Sequence, residues 1–310
     1  MTNADRTAVL LMAYGTPRTP EEILPYYTDI RRGRPPTEEA LADLIARYDA
    51  LGGTSPLAAR TEAQRAALQH ALDAAAPGQY EVSLGLKHAD PKIEAAVDAI
   101  AAQGFRHIVG LVLAPHYSSY SIGQYLDRAK AAAEPHGITV SGIESWATEP
   151  AYVQFIADDL KAKLDTMPAD TKVLFTAHSL PQRIVDAGDP YPDELRSTAV
   201  AVAEKVGLSQ WSNWSIAWQS AGRTPEPWLG PDILTVIDDL AAAENDADHQ
   251  RGVLISAVGF VADHLEVLYD LDIEAAARAA GLGMAFARTA CVNDNPAVMA
   301  ALAQRVIAAV

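Results

Sequence analysis

Short apolar runs alternate with longer amphipathic stretches along the whole chain. Apolar runs bounded by turn-forming residues predict buried strands, whereas apolar residues that recur every three or four positions predict helices. This alternation is typical of an α/β protein in which helices cover both faces of a parallel sheet. Strands are predicted at residues 8–13, 80–86, 107–114 and 139–143, from residue 171, and at residues 214–219, 252–258 and 284–287.

The segment between the first two predicted strands is longer than a single crossover helix requires. It predicts helices at residues 21–30, 38–50 and 61–76, with a basic turn at residues 31–36. Long excursions of this kind are usually functional, so we expect it to wall a pocket above the first strand. The other predicted helices cover residues 92–103, 122–133, 152–164, 193–206, 232–243 and 297–310, and one more begins near residue 262.

Two stretches of the chain match each other in form. Residues 171–181 read TKVLFTAHSLP and residues 8–17 read AVLLMAYGTP, so Tyr14 falls opposite His178 when the two are laid over one another. Ligands of open α/β sheets lie beyond the carboxyl ends of the strands, where both rings are expected. The pattern therefore predicts two similar domains, at residues 1–166 and 167–310, that each present one ring to a shared cleft. A histidine in a packed core is the alternative interpretation of His178.

An acidic row follows the apolar run that begins at residue 252. Glu266, Asp270 and Glu274 are spaced by four residues and would share one face of a helix. Such a row is consistent with a solvated surface, or with a path for a divalent cation or for protons. An imidazole and a carboxylate are common ligands of first-row divalent metals, so His178 with Glu266 predicts a weak and open metal site.

Basic residues gather in the long excursion of an otherwise acidic chain. They are accompanied by hydroxyl groups, and together these side chains could bind the carboxylates of an anionic ligand through charge-assisted hydrogen bonds. A solvated turn is the alternative. The residues concerned are Arg31, Arg32, Arg34 and Arg47, with Tyr48, Ser55 and Tyr125.

Composition narrows the choice of partner and compartment. The chain has 310 residues, with 24 basic and 40 acidic ones, and a net charge of −16 argues against a nucleic acid or a bare anionic membrane as partner. The first apolar run is too short for a signal peptide, which predicts a cytoplasmic protein. Cys291 is the single cysteine and excludes a disulfide within the chain. Phosphate-binding glycine motifs and the HExxH and GxSxG motifs are absent, which disfavours nucleotide-driven chemistry.

The sequence resembles the ferrochelatase family along almost its whole length. The likeness is carried by MAYGTP, IRRGRPP, GGTSPLA, LGLKHADP, LAPHYSSYS, TAHSLP, GDPYPDEL and VGFVADHLEVLYD, in this order. It extends in particular to the soluble, monomeric bacterial form that inserts iron into coproporphyrin III. The resemblance implies a class II chelatase-like fold of two Rossmann-like domains related by a pseudo-two-fold. It also implies a lyase of heme biosynthesis that inserts Fe²⁺ into a porphyrin and releases two protons.

The resemblance assigns expected roles to individual residues. His178 and Glu266 match the metal-site pair and Tyr14 matches the residue that faces the iron from the other side of the macrocycle, while Asp270 and Glu274 resemble outer carboxylates of an acidic ridge. The residues expected to hold the porphyrin propionates, with Tyr14 also in contact with the porphyrin, are Arg31, Arg47, Tyr48, Ser55 and Tyr125.

The same resemblance sets the expected partners. Fe²⁺ and the porphyrin are substrates, no cofactor is permanently bound, and no [2Fe–2S] cluster is expected with a single cysteine. A monomer without stable membrane insertion and without a nucleic-acid partner is expected, with transient contact with neighbouring heme-pathway enzymes. Three alternatives stay open: protoporphyrin as the substrate, a chelatase for cobalt or nickel, and a non-catalytic tetrapyrrole carrier. The side from which iron enters also stays open.

Overall fold

Two four-stranded parallel sheets with the same strand order form the framework. The structure is a computed structural model that describes residues 2–208, 213–222, 224–242 and 251–310. The strand order is β2-β1-β3-β4 in one sheet and β6-β5-β7-β8 in the other, so the first strand of each half is internal. The strands are β1 Thr7–Ala13, β2 Tyr80–Leu86, β3 His107–Val112, β4 Thr139–Ile143, β5 Thr171–His178, β6 Trp214–Gln219, β7 Gly252–Ser256 and β8 Ala285–Arg288.

Helices connect the strands, as right-handed parallel crossovers require. Three of them lie between β1 and β2, where the long excursion was predicted. The α-helices are α1 Ile23–Ile30, α2 Glu38–Ala50, α3 Leu57–Ala75, α4 Ile93–Ala102, α5 Ile122–Ala133, α6 Pro150–Leu164, α7 Gln182–Asp186, α8 Tyr191–Val206, α9 Ile233–Ala242, α10 Leu265–Leu268, α11 Ala276–Gly281 and α12 Pro296–Ala308.

The internal strand β1 of the first sheet is buried on both faces. Every residue of β1 is buried, which agrees with its unbroken apolar sequence. Leu10 and Met12 point to one face, where they join a core that includes Ile93 and Val97 of α4 and Leu126 of α5. Helix α3 packs beside β2 and against α12. The predicted α/β architecture is therefore confirmed for this half.

The second sheet has a core of its own. Leu174 of β5 and Ile255 of β7 pack with Ile237 of α9 and with Val267 and Leu271. Helices α6 and α8 pack against each other, α6 also against β7 and α8 also against β6. This half therefore has the same arrangement of a parallel sheet between helices.

The compact units differ from the predicted domain boundary near residue 166. One unit contains residues 1–146, 262–265 and 293–310, and the other contains residues 147–261 and 266–292. Helix α6 therefore belongs with the second sheet, because it packs on α8, and the last helix belongs with the first sheet, because it packs on α3. The prediction placed one boundary at a proline near residue 166, and a single boundary cannot assign α6 to the second unit and α12 to the first.

Local differences concern the segment after β7. The continuous helix predicted from about residue 262 is instead a short α10, a π-helix over Asp270–Ala275 and then α11.

Helix α7 was not predicted, and residue 243, the predicted end of α9, lies outside the described residues. Within the part of the chain that is described, no helix combines the length and the apolar character needed to cross a bilayer.

Candidate active site

The two rings singled out in the sequence lie at equivalent strand ends. Tyr14 directly follows β1 and His178 is the last residue of β5. Both strands are internal and adjoin the point at which the strand order changes direction. Crevices for ligands form at such switch points in open α/β sheets. Each unit therefore presents its ring at the position where this fold binds ligands.

His178 and Glu266 lie together, as predicted. Nε2 of His178 is 3.9 Å from Oε1 of Glu266, and about one third of each side chain is exposed. Glu266 follows β7, the strand that pairs with β5 on one side. The pair thus spans the switch point of the second sheet and remains accessible to a ligand.

A hydrogen bond determines which nitrogen of the His178 ring carries the proton. Nδ1 of His178 lies 2.5 Å from the carbonyl oxygen of Ser179, an acceptor, so Nδ1 must carry the proton. In the neutral imidazole the Nε2 atom then bears the lone pair. The nitrogen beside Glu266 is therefore the one that can accept a proton or bind a metal ion.

Buried polar groups hold both residues in place. The amide of Gln219 donates to the carbonyl oxygen of Glu266 at 3.0 Å and accepts from Thr176 at 2.9 Å. The Tyr191 hydroxyl donates to the carbonyl oxygen of His178 at 3.1 Å. Burial, with a contribution from Glu266, raises the pKa of Tyr191, so its hydroxyl remains a donor. Supporting groups of this kind orient the residues that meet the ligand.

Gly259 allows the strand end and the following loop to approach closely. Its amide donates to the carbonyl oxygen of Thr176 at 3.0 Å. A Cβ atom built on Gly259 would lie 2.4 Å from the Cβ atom of Ala177, which immediately precedes His178. Only glycine fits without displacing the strand or the loop. This contact helps to set the distance between His178 and Glu266.

The three carboxylates of the predicted acidic row differ in environment. Asp270 is buried and accepts a hydrogen bond from the Ser220 hydroxyl at 2.5 Å, and Ser220 has a positive φ of 58°. Glu274 is half-buried, and its amide donates to the carbonyl oxygen of Tyr269, as π-helical geometry requires. Asp270 is therefore the carboxylate that a side-chain hydrogen bond holds in place, and the continuous acidic row stays a prediction.

His178 and Glu266 provide two candidate metal ligands. Among the described residues, no group of three or more His, Cys, Asp or Glu side chains has an arrangement that could hold a metal ion. Closed structural sites normally use four protein ligands. A pair such as His178 and Glu266 suits an ion that arrives and leaves again.

In the first unit, Tyr14 stands beside His88. Tyr14 is 41% exposed, and its ring centroid lies 4.6 Å from that of His88. Nδ1 of His88 lies 2.7 Å from Oδ2 of Asp29, whose other oxygen contacts Lys92 at 2.9 Å. The exposed phenol is therefore flanked by a hydrogen-bonded imidazole.

Lys87 lies in the same region and is half-buried. Its ammonium donates to the Gln124 side chain at 2.9 Å and lies 5.0 Å from the ring centroid of Tyr125. Burial, with Arg128 and Arg32 nearby, lowers the pKa of Lys87 to about 8. Burial also raises the pKa of Tyr125, with a smaller contribution from Tyr14. The strand ends of this unit thus gather basic and phenolic groups.

The predicted carboxylate-binding residues occupy three settings. Arg31 is exposed and its guanidinium lies 5.8 Å from the Tyr27 ring centroid, whereas Arg47 is half-buried. Tyr48 is buried, with its hydroxyl 3.4 Å from that of Thr16 in the loop after β1. Ser55 is buried, and its hydroxyl accepts from the amide of Leu57 at the start of α3. Their role in binding a ligand stays a prediction.

Four residues of the site were missed in the sequence. Gln219, Tyr191 and Asp29 act through side-chain contacts with residues that are distant in the chain. Gly259 acts through a close backbone approach to β5. Only Gly259 carried a local signal, since a glycine directly after an apolar strand suggests a close backbone approach.

Comparisons with known proteins identify the family to which the chain is similar. The family model described as Ferrochelatase matches residues 6–310. The chain is 42% identical over 308 residues to a protein of Oceanobacillus iheyensis named coproporphyrin III ferrochelatase, covering 97% of this chain and 96% of that protein. It is 45% identical to a ferrochelatase of Herpetosiphon aurantiacus, covering 94% and 95%.

A solved structure supports the fold alone. The sirohydrochlorin chelatase SirB from Bacillus subtilis subspecies spizizenii, in complex with cobalt, matches with a TM-score of 0.56 and 13% identity. The match covers 97% of this chain and 94% of that structure. The family model and the curated relatives confirm the resemblance found in the sequence, and the chain belongs to the ferrochelatase family.

Proposed function

We propose that this protein inserts Fe²⁺ into a free-base porphyrin, coproporphyrin III, and releases two protons as a step of heme biosynthesis. The observation that carries the proposal is the His178–Glu266 pair, in which an Nε2 lone pair lies 3.9 Å from a carboxylate oxygen. Family membership supports the reaction class. The name of the Oceanobacillus relative supports the choice of porphyrin.

The chemistry asks for groups that accept protons and handle a cation. Each pyrrole N–H bond that breaks leaves its electron pair on nitrogen for the iron, and its proton must pass to a base. His178 supplies a lone pair at a fixed atom, and Glu266 supplies a negative charge beside it. Asp270 and Glu274 continue the acidic row and are proposed to carry protons or hydrated cations away from this pair.

Binding of the macrocycle is assigned to residues of the first unit. We propose that the Tyr14 ring contacts the porphyrin, because it is the exposed aromatic group at the end of β1. The propionates are assigned to basic and hydroxyl side chains, since charge-assisted hydrogen bonds bind carboxylates well. These side chains are Arg31, Arg47, Tyr48, Ser55 and Tyr125.

The test is the insertion of Fe²⁺ into coproporphyrin III under anaerobic conditions, and the rate is measured from the change in absorbance of the porphyrin. His178→Ala is expected to lower kcat by at least about 100-fold, because it removes the base, while porphyrin binding measured by fluorescence changes little. His136→Ala is the matched control, since His136 is a half-exposed histidine paired with Asp98 elsewhere on the surface. Turnover by His178→Ala close to that of the wild type would reject the assignment.

A second experiment separates the alternatives that the site leaves open. Coproporphyrin III and protoporphyrin IX are compared as substrates with Fe²⁺, and Co²⁺ and Ni²⁺ are then compared with Fe²⁺. Preference for iron and for coproporphyrin III, which carries four carboxylates, supports the proposal. Additional carboxylates would form more hydrogen bonds with the basic residues of the excursion. Tight binding of the product with no metal-dependent rate would indicate a carrier instead.

We further propose a cytoplasmic monomer that carries no resident cofactor. A single cysteine cannot supply the ligands of a cysteine-bound [2Fe–2S] cluster. Light scattering of the purified protein and an assay of acid-labile sulfide measure both properties. Contacts with neighbouring heme-pathway enzymes are proposed as transient.

A further inference from the structure

Three side chains of the first unit are in consecutive contact: Asp29 contacts His88, and His88 contacts Tyr14. Asp29 lies in the last turn of α1, and its Oδ2 atom is 2.7 Å from Nδ1 of His88, which follows β2. The ring of His88 lies against that of Tyr14, with an interplanar angle of 57°. The amide of His88 also donates to the carbonyl oxygen of Tyr14 at 2.9 Å. His88 is thus connected to Tyr14 through both backbone and side chain.

The groups around these side chains favour an ionised Asp29 that pairs with a neutral His88. Burial, supported by the charges of Lys87 and Lys92, lowers the pKa of His88 despite the hydrogen bond to Asp29. Burial opposes ionisation of Asp29, but hydrogen bonds from Lys92 and His88 hold the pKa of this carboxyl below its usual value. Asp29 is thus ionised near neutral pH while His88 carries no charge.

The contact with Asp29 selects one tautomer of His88. A carboxylate can only accept, so the Nδ1 atom must carry the proton. Nε2 then bears the lone pair, and no other described residue forms a hydrogen bond with this atom. The side chain of His88 is only 14% exposed, so the ring cannot turn freely. Carboxylates fix catalytic and metal-binding histidines in this way.

We propose that Asp29 is a positioning residue for the Tyr14 side of the porphyrin site. It holds His88 in the Nδ1-protonated form and holds its ring against Tyr14, so that the phenol keeps one orientation and a basic nitrogen stands beside it. This inference rests on the proposed function, because the orientation of Tyr14 matters to catalysis only if the ring contacts the porphyrin. The imidazole of His88 transmits the effect of Asp29.

The first test reads the tautomer directly and needs neither porphyrin nor iron. The protein labelled with ¹⁵N-histidine is studied at pH 7.5 by long-range ¹H–¹⁵N correlation, and the signals of His88 are assigned with His88→Gln. The wild type is expected to show a protonated Nδ1 and an unprotonated Nε2. In Asp29→Ala the signals are expected to move toward a mixture of tautomers. An Nε2-protonated ring in the wild type, or signals unmoved in Asp29→Ala, would overturn the proposal.

The second test reads the consequence for metallation. Asp29→Ala is expected to lower kcat about tenfold, with a change of less than about threefold in KM for the porphyrin, as is usual when the partner of a functional histidine is removed. Asp29→Asn retains an acceptor and is expected to recover part of the loss. Equal kcat values for Asp29→Ala and the wild type would contradict the proposal.

A matched pair elsewhere in the same unit controls for the loss of any Asp–His contact. Asp98 lies 2.8 Å from Nε2 of His136, and both side chains are more exposed than those of Asp29 and His88. Asp98→Ala is expected to leave kcat unchanged, and an equal loss in Asp98→Ala would count against a role specific to Asp29. If the wild type fails to metallate porphyrin while the tautomer result holds, the proposed function fails and the structural part of this inference survives.

Discussion

Gly259 and Ala177 are in closer contact than any side chain at position 259 would allow. A Cβ atom on Gly259 would lie 2.4 Å from the Cβ atom of Ala177 and 2.7 Å from its Cα atom. The clash would involve the backbone of β5 and not the end of a flexible side chain. The separation of β5 from the loop that leads to Glu266 therefore depends on a hydrogen atom at this position.

Gly259→Ala should impair the enzyme more than its small size suggests. The added methyl group forces the loop away from β5, which lengthens the His178–Glu266 distance and lowers kcat, and overpacking costs about 1–3 kcal/mol of stability. Metallation kinetics and denaturant unfolding measure the two effects. In the control variant Gly281→Ala the new Cβ atom meets open space within helix α11, where alanine is favoured over glycine. Equal behaviour of the two variants would refute the spacing argument.

Tyr191→Phe should show how much the position of His178 matters for kcat, because it leaves the imidazole itself unchanged. The change removes only the hydroxyl that donates to the carbonyl oxygen of His178, and loss of a buried hydrogen bond costs about 0.5–1.5 kcal/mol. A several-fold decrease of kcat with porphyrin binding retained is expected, because His178, the proposed base, is displaced but not removed. Tyr80→Phe serves as control, since no described residue bonds to the hydroxyl of this buried tyrosine. An unchanged kcat in Tyr191→Phe would show that the backbone alone positions His178.

Lys87 should make stability depend on pH in the alkaline range. Its pKa of about 8 in the folded protein lies below the ordinary value of 10.5, so between these pH values the unfolded chain binds more protons. Stability contributed by this residue therefore rises as pH increases from 8 to 10.5, by at most about 3 kcal/mol at 1.36 kcal/mol per pH unit.

The variant Lys87→Met removes this dependence. Its advantage in unfolding free energy over the wild type should be greatest near pH 7 and should shrink as pH approaches 10.5. Denaturant unfolding at several pH values measures the difference, with Lys130→Met on the exposed side of α5 as a second lysine-to-methionine change. A difference that grows with pH would mean that burial of Lys87 has been misjudged.

The positions of the strands could be predicted because each strand is a short run of apolar and β-favouring residues between longer helical stretches. Residues 80–86, 139–143 and 214–219 were predicted with the bounds that the structure has. The pairing of Tyr14 with His178 at equivalent strand ends followed from the matching stretches, since both strands begin a half and occupy the same place in the strand order. Local composition was sufficient even for the partly exposed edge strands β2, β4 and β6.

The rest of the site depends on geometry that spacing does not encode. Residues four apart lie near one face in both an α-helix and a π-helix, so the interval from Glu266 to Glu274 could not distinguish them. The contact between Asp29 and His88 joins residues 59 positions apart and depends on how α1 packs beside the end of β2. Asp270 reads as a surface carboxylate until its bond with Ser220 is seen.

The internal position of β1 has a consequence for how such a chain can diversify. Because this strand is bonded along both edges, the residue after it keeps its place while the three-helix connection to β2 lengthens, shortens or changes sequence. Changes in the excursion, which is proposed to bind the tetrapyrrole, can therefore occur without moving Tyr14. Substrate range and reaction chemistry are in this way free to evolve at separate rates.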